Sequence, residues 1–326
     1  MFAFKALANI IKSRYSPVPL VICHNITYKC NLRCKFCRFW RIKPQQKELT
    51  FEEIQRIIDE SRELGAIMYN VWGTEPLMRE DLLNCLSYAK EKGLRTCLIT
   101  NGILLENRVK ELSKLIDYLI VSVDGLDDTY EKIRGINFRT ILRALEKVKE
   151  YKIKTTLNYV ICGLNLGGIR KTISFANDMG FYISFEPVHY FPEIEEDWEE
   201  IKIKDQDSYI KAIETIIEMK KEGYKIANSF KYLSLLKENR RDFRCSVGNF
   251  LLHIEPDGSV YIPCGKWGKI GSARENSLRN IWFSSEAKKR RNHAKDCRDC
   301  LFSGYIESSL LYSFNLSALK NFFMNI

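Results

Sequence analysis

The sequence predicts an α/β protein, a partial (β/α)6 barrel open at one side and followed by a small cysteine-rich domain. Three observations carry this prediction. Between residues 19 and 188, apolar runs of strand length alternate with amphipathic stretches of helix length, giving six strands. Repetition of β-then-α builds parallel sheets with right-handed crossovers, and six units fall short of the eight that close a barrel. Beyond residue 240 the pattern breaks, and four of the eleven cysteines gather there.

The elements follow in order. Residues 1–18 are read as an N-terminal amphipathic helix with Phe2, Phe4, Leu7, Ile10 and Ile11 on one face. The first strand spans 19–26. Thr50-Phe51-Glu52-Glu53 has the form of a capping box and opens a helix that ends before Gly65. Strand two spans 67–72, with a helix over 80–92 closed by Gly93. Strand three spans 94–100 and its helix 104–115; strand four spans 118–123 and its main helix 138–151. Strands five and six span 154–161 and 181–188, with 168–179 helical between them. Loops at the C-terminal strand ends are expected to carry the chemistry, as in closed barrels.

The acidic stretch 193–200 reads as a solvated loop or helix start rather than a site, and helices follow at 206–222 and 230–238. The predicted domains are 1–18, a barrel with its following helices over 19–240, a cysteine-rich domain over 241–303, and a helical tail over 304–326. Within the third, 249–255 and 259–262 form a hairpin around Pro256-Asp257-Gly258, and a helix spans 277–291. In the tail, Leu310, Leu311, Phe314, Leu319, Phe322 and Phe323 recur at helical spacing.

Composition bounds the function. The hydrophobic fraction of 45% is that of a globular protein, and no apolar run reaches the length of a membrane span. The first residues lack a long apolar core and a small-residue cleavage site, so a cytoplasmic protein is expected. The net charge of +10 admits anionic partners and selects none. Eleven cysteines without a secretion signal point to thiolate chemistry or metal binding. Cys23, Cys85, Cys97 and Cys162 stand alone in apolar segments and are expected as small buried hydrophobes.

Cys30-Asn31-Leu32-Arg33-Cys34-Lys35-Phe36-Cys37 lies just past the first strand. Three thiolates in one short loop can wrap a single soft-metal centre. A closed structural site wants four protein ligands, and three leave one metal position open for chemistry. His24, before the loop, is expected in the core or a pocket.

This C-x3-C-x2-C pattern, with Phe36 before its last cysteine, resembles the signature of the radical S-adenosylmethionine (SAM) superfamily. Further segments stand at successive strand ends in the order that family has them. Gly73-Thr74-Glu75-Pro76 resembles its Gly-Gly-Glu motif, which contacts the SAM amino group, with Thr74 in place of the second glycine. Thr100-Asn101-Gly102 ends strand three. Ser122-Val123-Asp124-Gly125 ends strand four, followed by Ile133-Arg134-Gly135, and both look like segments that place the SAM ribose and carboxylate.

The resemblance implies a [4Fe–4S] cluster on Cys30, Cys34 and Cys37, with SAM as exchangeable ligand to the open iron. One electron, from a reductant such as ferredoxin or flavodoxin, would cleave SAM to a 5′-deoxyadenosyl radical that abstracts hydrogen from substrate. The protein's share is positioning and exclusion of water.

Cys245, Cys264, Cys297 and Cys300 form a closed set of four, for which ligand count alone admits zinc or an iron–sulfur cluster. Cys245-x12-Gly258-x5-Cys264, the stretch 268–282 and Cys297-x2-Cys300 resemble the auxiliary-cluster domains called SPASM and twitch. The spacer after the glycine is one residue longer than usual, and there are fewer cysteines than the full SPASM set. The resemblance thus implies one auxiliary [4Fe–4S] cluster with every iron protein-ligated, and a redox-coupled reaction.

For the substrate, a small molecule or a lipid is expected ahead of a peptide, because about 18 residues precede the first strand, too few for a leader-peptide module. The two apolar, helix-spaced ends are expected to pack on the barrel; they also admit peripheral membrane contact, and with it a lipid or isoprenoid substrate. Peptide maturation stays as an alternative, as does a non-catalytic zinc-stapled RNA-binding protein, although no RNA-binding motif is present and no nucleic acid is expected. Asn158 and Glu186 are candidates to face the barrel interior.

Overall fold

Short runs rich in Val, Ile, Leu, Thr and Tyr pair side by side in chain order, because each is followed by an amphipathic helix that returns the chain to the same sheet edge. The six strands β1 (Val21–Asn25), β2 (Met68–Trp72), β3 (Arg95–Thr100), β4 (Tyr118–Ser122), β5 (Thr155–Ile161) and β6 (Tyr182–Pro187) are all parallel. The computed structural model describes residues 15–44, 46–241, 243–262, 264 and 267–325, with positions 8, 11 and 13. The N-terminal helix expected over 1–18 falls largely outside the described residues.

The sheet continues past the expected domain boundary. β7 (Leu251–Ile254) lies parallel to β1 on its free edge, and β8 (Ser259–Tyr261) and β9 (Gly271–Ser272) add antiparallel. One nine-stranded sheet results, in the order β6-β5-β4-β3-β2-β1-β7-β8-β9. The expected hairpin forms, with Gly258 at φ +83° in its turn. Its docking on β1 is a long-range pairing that strand periodicity does not report.

Side chains alternate across each strand. On the outer face Ile22, Tyr69, Val71, Leu98, Val121, Leu157 and Phe185 join the main core. They meet α1 (Phe51–Glu63), α2 (Leu82–Glu91), α3 (Val109–Leu115), α5 (Arg139–Glu150), α6 (Ile169–Met179) and α8 (Gln206–Lys221). The capping box on α1 is present, with Glu53 N–H donating to Thr50 Oγ1 and Thr50 N–H to Glu53. His24 lies on this core side, hydrogen-bonded through Nδ1 to Tyr69 Oη at 2.7 Å, and burial holds its imidazole down at about 3. Cys85 and Cys162 are fully buried, and Cys23 and Cys97 nearly so, as expected of isolated cysteines.

By the same alternation Asn25, Trp72, Ser122, Asn158, Glu186 and His253 point to the barrel interior. Two short helices lie between the longer elements. Asp127 caps α4 (Asp128–Arg134), which stops at Gly135 with φ +78°, and α7 (Glu195–Ile201) occupies the acidic stretch. After α9 (Phe230–Lys237) come α10 (Leu278–Trp282), α11 (Ser285–Ala294), α12 (Ser303–Tyr312) and α13 (Leu316–Asn325).

α12 packs on the barrel, as its apolar spacing leads one to expect. It touches both ends of the seven-stranded parallel arc: Tyr305 Oη pairs with His253 Nε2 of β7 at 2.9 Å, and Asn228, which brackets Phe185 of β6, donates to Ser303 Oγ at 3.2 Å. It therefore spans the open side of the barrel. Leu310 is buried there, while Leu316 of α13 is exposed.

One arginine joins the C-terminal hairpin to the first barrel helix. Arg274 Nε and Nη2 donate to the two carboxylate oxygens of Glu53 at 2.9 and 3.2 Å, and its Nη atoms reach the carbonyls of Lys47 and Glu48 at 2.9 and 2.8 Å. A lysine is a point charge without this planar fork. Arg274→Lys is expected to cost about 1–2 kcal/mol, read as a lowered unfolding midpoint. An unchanged midpoint would show that the hairpin is held by β1 pairing and apolar packing alone.

Candidate active site

The first cysteine loop is built by the strand ends around it. β1 delivers the chain to the mouth, where Thr27 Oγ1 and Tyr28 N–H both donate to Glu48 at 2.7 Å. Thr74 Oγ1 donates to the Thr27 carbonyl, and Glu75 N–H to that of Lys29 at 3.0 Å, so the turn after β2 is stapled to the residues before Cys30. Gly73 is required there: its φ is +113°, and a Cβ would stand 1.8 Å from Asn25 Oδ1. Asn25 itself donates to Glu255 at the end of β7 at 2.7 Å.

Glu75 is fully buried. Its carboxylate accepts from Leu77 N–H at 3.1 Å, Thr100 Oγ1 at 2.7 Å and Asn101 N–H at 2.7 Å. Burial lifts the carboxyl to about 7 against the pull of these donors. Glu75 thus ties the ends of β2 and β3 together. Asn101 then reaches the cysteine loop itself, its Nδ2 donating to Asn31 Oδ1 at 2.7 Å.

The end of β4 supplies the third support. Asp124, fully buried, pairs with Arg134 and accepts Val160 N–H at 2.7 Å. Arg134 lies 3.7 Å from Cys34 Sγ through Nη1 and 5.4 Å from the Phe36 ring centre. Ser122 accepts from Tyr130 Oη through its carbonyl at 3.3 Å. Phe36, Gly73, Thr74, Glu75, Asn101, Asp124 and Arg134 are thereby assembled around Cys30, Cys34 and Cys37. In this arrangement the Glu75 and Asp124 carboxylates are engaged with protein donors, which makes them supports of the loop.

Burial pushes the Cys34 thiol up to about 12, opposed by Arg134, and raises Cys30 and Cys37 as well. A thiol in this setting gives up its proton readily only to a metal. The backbone is already arranged for sulfur ligands. The N–H two residues ahead points at the sulfur at Cys30 (from Leu32, 3.5 Å), Cys37 (Phe39), Cys245 (Val247) and Cys300 (Phe302). Hydrogen bonds to cluster sulfurs tune reduction potential.

Cys245, Cys264, Cys297 and Cys300 stand within electrostatic range of one another, and burial raises Cys245 to about 12 and Cys300 to about 11. Among the described residues, no three His, Cys, Asp or Glu side chains converge closely enough for a single ion, and a multi-iron cluster spaces its ligands more widely. Between the two cysteine groups runs a chain of rings: Phe39–Trp72 at 5.3 Å, Trp72–His253 at 5.9 Å, His253–Tyr305 at 5.7 Å and Tyr305–Phe302 at 5.6 Å. Beside it Asn158 links Ser184 at 3.0 Å to Glu186 at 3.3 Å.

Residues 24–176 match the radical SAM superfamily, and residues 245–301 match an iron–sulfur cluster-binding domain, SPASM. The chain belongs to the radical SAM superfamily. It binds a [4Fe–4S] cluster and SAM, with auxiliary iron–sulfur binding in its SPASM-type C-terminal domain. Similar proteins include the Fe-coproporphyrin III synthase of Methanosarcina barkeri, 36% identical over 155 residues, a match spanning 46% of this chain and 39% of that relative. The AdoMet-dependent heme synthase of the same organism is 27% identical over 82% of this chain and 83% of its own. The PqqA peptide cyclase of Granulibacter bethesdensis is 26% identical over 86% and 79%. The fold matches Streptococcus suis SuiB bound to SAM, with a TM-score of 0.69 at 17% identity over 90% of this chain and 72% of that one.

The acidic stretch is where the sequence reading and the structure part. Around α7, Glu193, Glu196, Asp197 and Glu200 pair with Arg38, Arg41 and Lys35 of this radical SAM cysteine loop. Instead of lying free in solvent, the segment straps the loop. The signal was available as charge complementarity, with Arg33, Lys35, Arg38, Arg41 and Lys43 spaced closely in one segment and acids equally dense in the other. A cavity of about 620 Å³ opens at this rim, lined by Arg33, Trp40, Arg41, Lys43 and Pro192 among others.

Gly73→Ala tests the assembly. It must displace Asn25 and strain the turn at a cost of about 1–3 kcal/mol. SAM affinity, measured by equilibrium binding to the reconstituted protein, is expected to fall at least about tenfold. Unchanged affinity would separate the turn after β2 from SAM binding.

Proposed function

We propose that the protein uses Cys30, Cys34 and Cys37 to hold the cluster that reductively cleaves SAM, and uses Cys245, Cys264, Cys297 and Cys300 to hold an electron acceptor for an oxidised substrate. The observation that carries this reading is the segregation of seven cysteines into a set of three and a set of four at opposite ends of one ring-lined interior. The bound cluster and SAM supply a 5′-deoxyadenosyl radical after one electron enters. Such a radical would take a hydrogen atom from a C–H bond of a substrate held in the ring-lined interior, giving 5′-deoxyadenosine and a substrate radical. Closing the product would require loss of one further electron, together with either a proton or a carbon fragment released as carbon dioxide. Cys245, Cys264, Cys297 and Cys300 would hold the group that takes this electron.

The chain's own residues position and shield. Glu75, Asn101, Asp124 and Arg134 hold the loop, α7 covers it, and α12 closes the barrel side against water. Asn158, Ser184, Glu186, His253 and Tyr305 present hydrogen-bonding groups among aromatic rings. This lining supports an organic substrate with a flat or apolar body and polar edges, and the heme synthase relative supports a tetrapyrrole of that description. A peptide is the second reading, supported by the peptide cyclase relative at similar coverage.

Anaerobic reconstitution is expected to give about eight iron per chain with matching sulfide. Cys34→Ala should halve the iron and abolish 5′-deoxyadenosine formation with dithionite. Cys297→Ala with Cys300→Ala should also lose iron, yet keep dithionite-driven SAM cleavage. Zinc in place of iron at the second set would remove the acceptor role. Substrate class is read from stimulated 5′-deoxyadenosine formation, and from deuterium carried into it, with iron-coproporphyrin against peptide. Stimulation by peptide alone would overturn the tetrapyrrole reading.

A further inference from the structure

The two cysteine groups differ in what a visiting protein would meet. At the first, Cys34 is 6% exposed, and the adjacent Lys35, Arg38 and Arg41 are each paired with a carboxylate from the segment around α7. At the second, Cys297 is partly exposed and flanked by the exposed residues Asp296 and Arg298. Beside it lies a basic surface. Arg279, Lys288, Lys289 and Arg298 are exposed, and among the described residues none of them is ion-paired. Lys295 donates to Asn292 Oδ1 at 2.9 Å and leaves its charge uncompensated. Arg290 is engaged with Glu286. Phe283 is 51% exposed, with Arg279 over its ring at 5.6 Å.

We infer that this surface, formed by α10, α11 and residues 295–298, docks an acidic one-electron carrier protein. The inference rests on the proposed function, which needs single electrons to enter and leave. An exposed aromatic under an arginine, with further exposed cations along the helix that leads to Cys297, has the composition of a binding centre with an electrostatic rim. Long-range attraction from such a surface raises the association rate of an oppositely charged partner. The position explains why the carrier would dock here. Tunnelling requires close approach, and partly exposed Cys297 directly follows α11, whereas Lys35, Arg38 and Arg41 at the first loop are already paired with carboxylates. In the exchange, the reduced carrier loses one electron and the cluster held by Cys245, Cys264, Cys297 and Cys300 gains it, or the reverse. No bond forms and no proton is required.

The test is binding of an acidic flavodoxin to the reconstituted protein, by calorimetry at low and high salt. Lys288→Glu with Lys289→Glu should weaken Kd about tenfold or more at low salt, with much of the wild-type affinity lost at high salt. Lys288→Gln with Lys289→Gln, which avoids placing acids near a helix C-terminus, should give an intermediate loss. Lys110→Glu, on α3 far along the chain, should leave Kd unchanged. Bleaching of the cluster absorbance by flavodoxin hydroquinone should slow in step with Kd, while bleaching by dithionite stays at the wild-type rate. Absence of wild-type binding, equal Kd in the Lys288/Lys289 variants, or equal weakening by Lys110→Glu would overturn the docking surface. So would loss of binding to anionic vesicles with flavodoxin affinity intact, which would mark a membrane-facing patch. Failure of wild-type protein to form 5′-deoxyadenosine with dithionite strikes the proposed function instead and is read independently of Kd.

Discussion

Three thiols at the mouth of a sheet would have to be ionised to hold iron, and burial drives them the other way. That conflict organises the structure. Cys34 is the most buried of the three, and the guanidinium of Arg134 stands beside its sulfur. A buried guanidinium is costly without a partner, so Asp124 lies beneath it, and Asp124 in turn takes the Val160 amide. The chain of compensation runs from a loop cysteine through α4 into β4 and β5. Removing any member leaves an uncompensated group in the interior, which is why these segments stand at successive strand ends.

The same logic explains Glu75. A carboxylate with three donors at the junction of β2 and β3 costs burial energy and offsets it by locking two strand ends into one frame. Asn101 extends that frame to Asn31 within the cysteine loop. The loop has little regular structure of its own, so its shape is borrowed from three strands and from the strap around α7. The backbone N–H groups aimed at Cys30, Cys37, Cys245 and Cys300 repeat one local device in both cysteine groups.

The two halves work as one body because β7 pairs with β1, Asn25 bridges to Glu255, and Arg274 grips Glu53. An inserted cluster domain could sit on a flexible tether. Here it extends the sheet, and α12 crosses the remaining opening. The path between the cysteine groups is consequently a packed series of rings, Trp72, His253, Tyr305 and Phe302, with fixed spacing. A fixed path suits electron transfer, and a closed barrel side keeps water from a reactive radical.

Local order was written in the sequence. Alternating strand and helix lengths gave the parallel sheet, Thr50-x-x-Glu53 gave the cap on α1, and cysteine spacing separated a three-cysteine loop from a four-cysteine set. The motifs at the ends of β2, β3 and β4 were legible because each couples a strand terminus to a turn-forming residue. Their protein partners were less so: the donors that Glu75 and Asp124 take depend on which amides lie opposite once the strands pair. The strap of α7 on the cysteine loop, the parallel seat of β7 on β1, and the closure by α12 join residues far apart in the chain. Pairings at that separation depend on where six crossovers place each edge, and only the tertiary structure decides that.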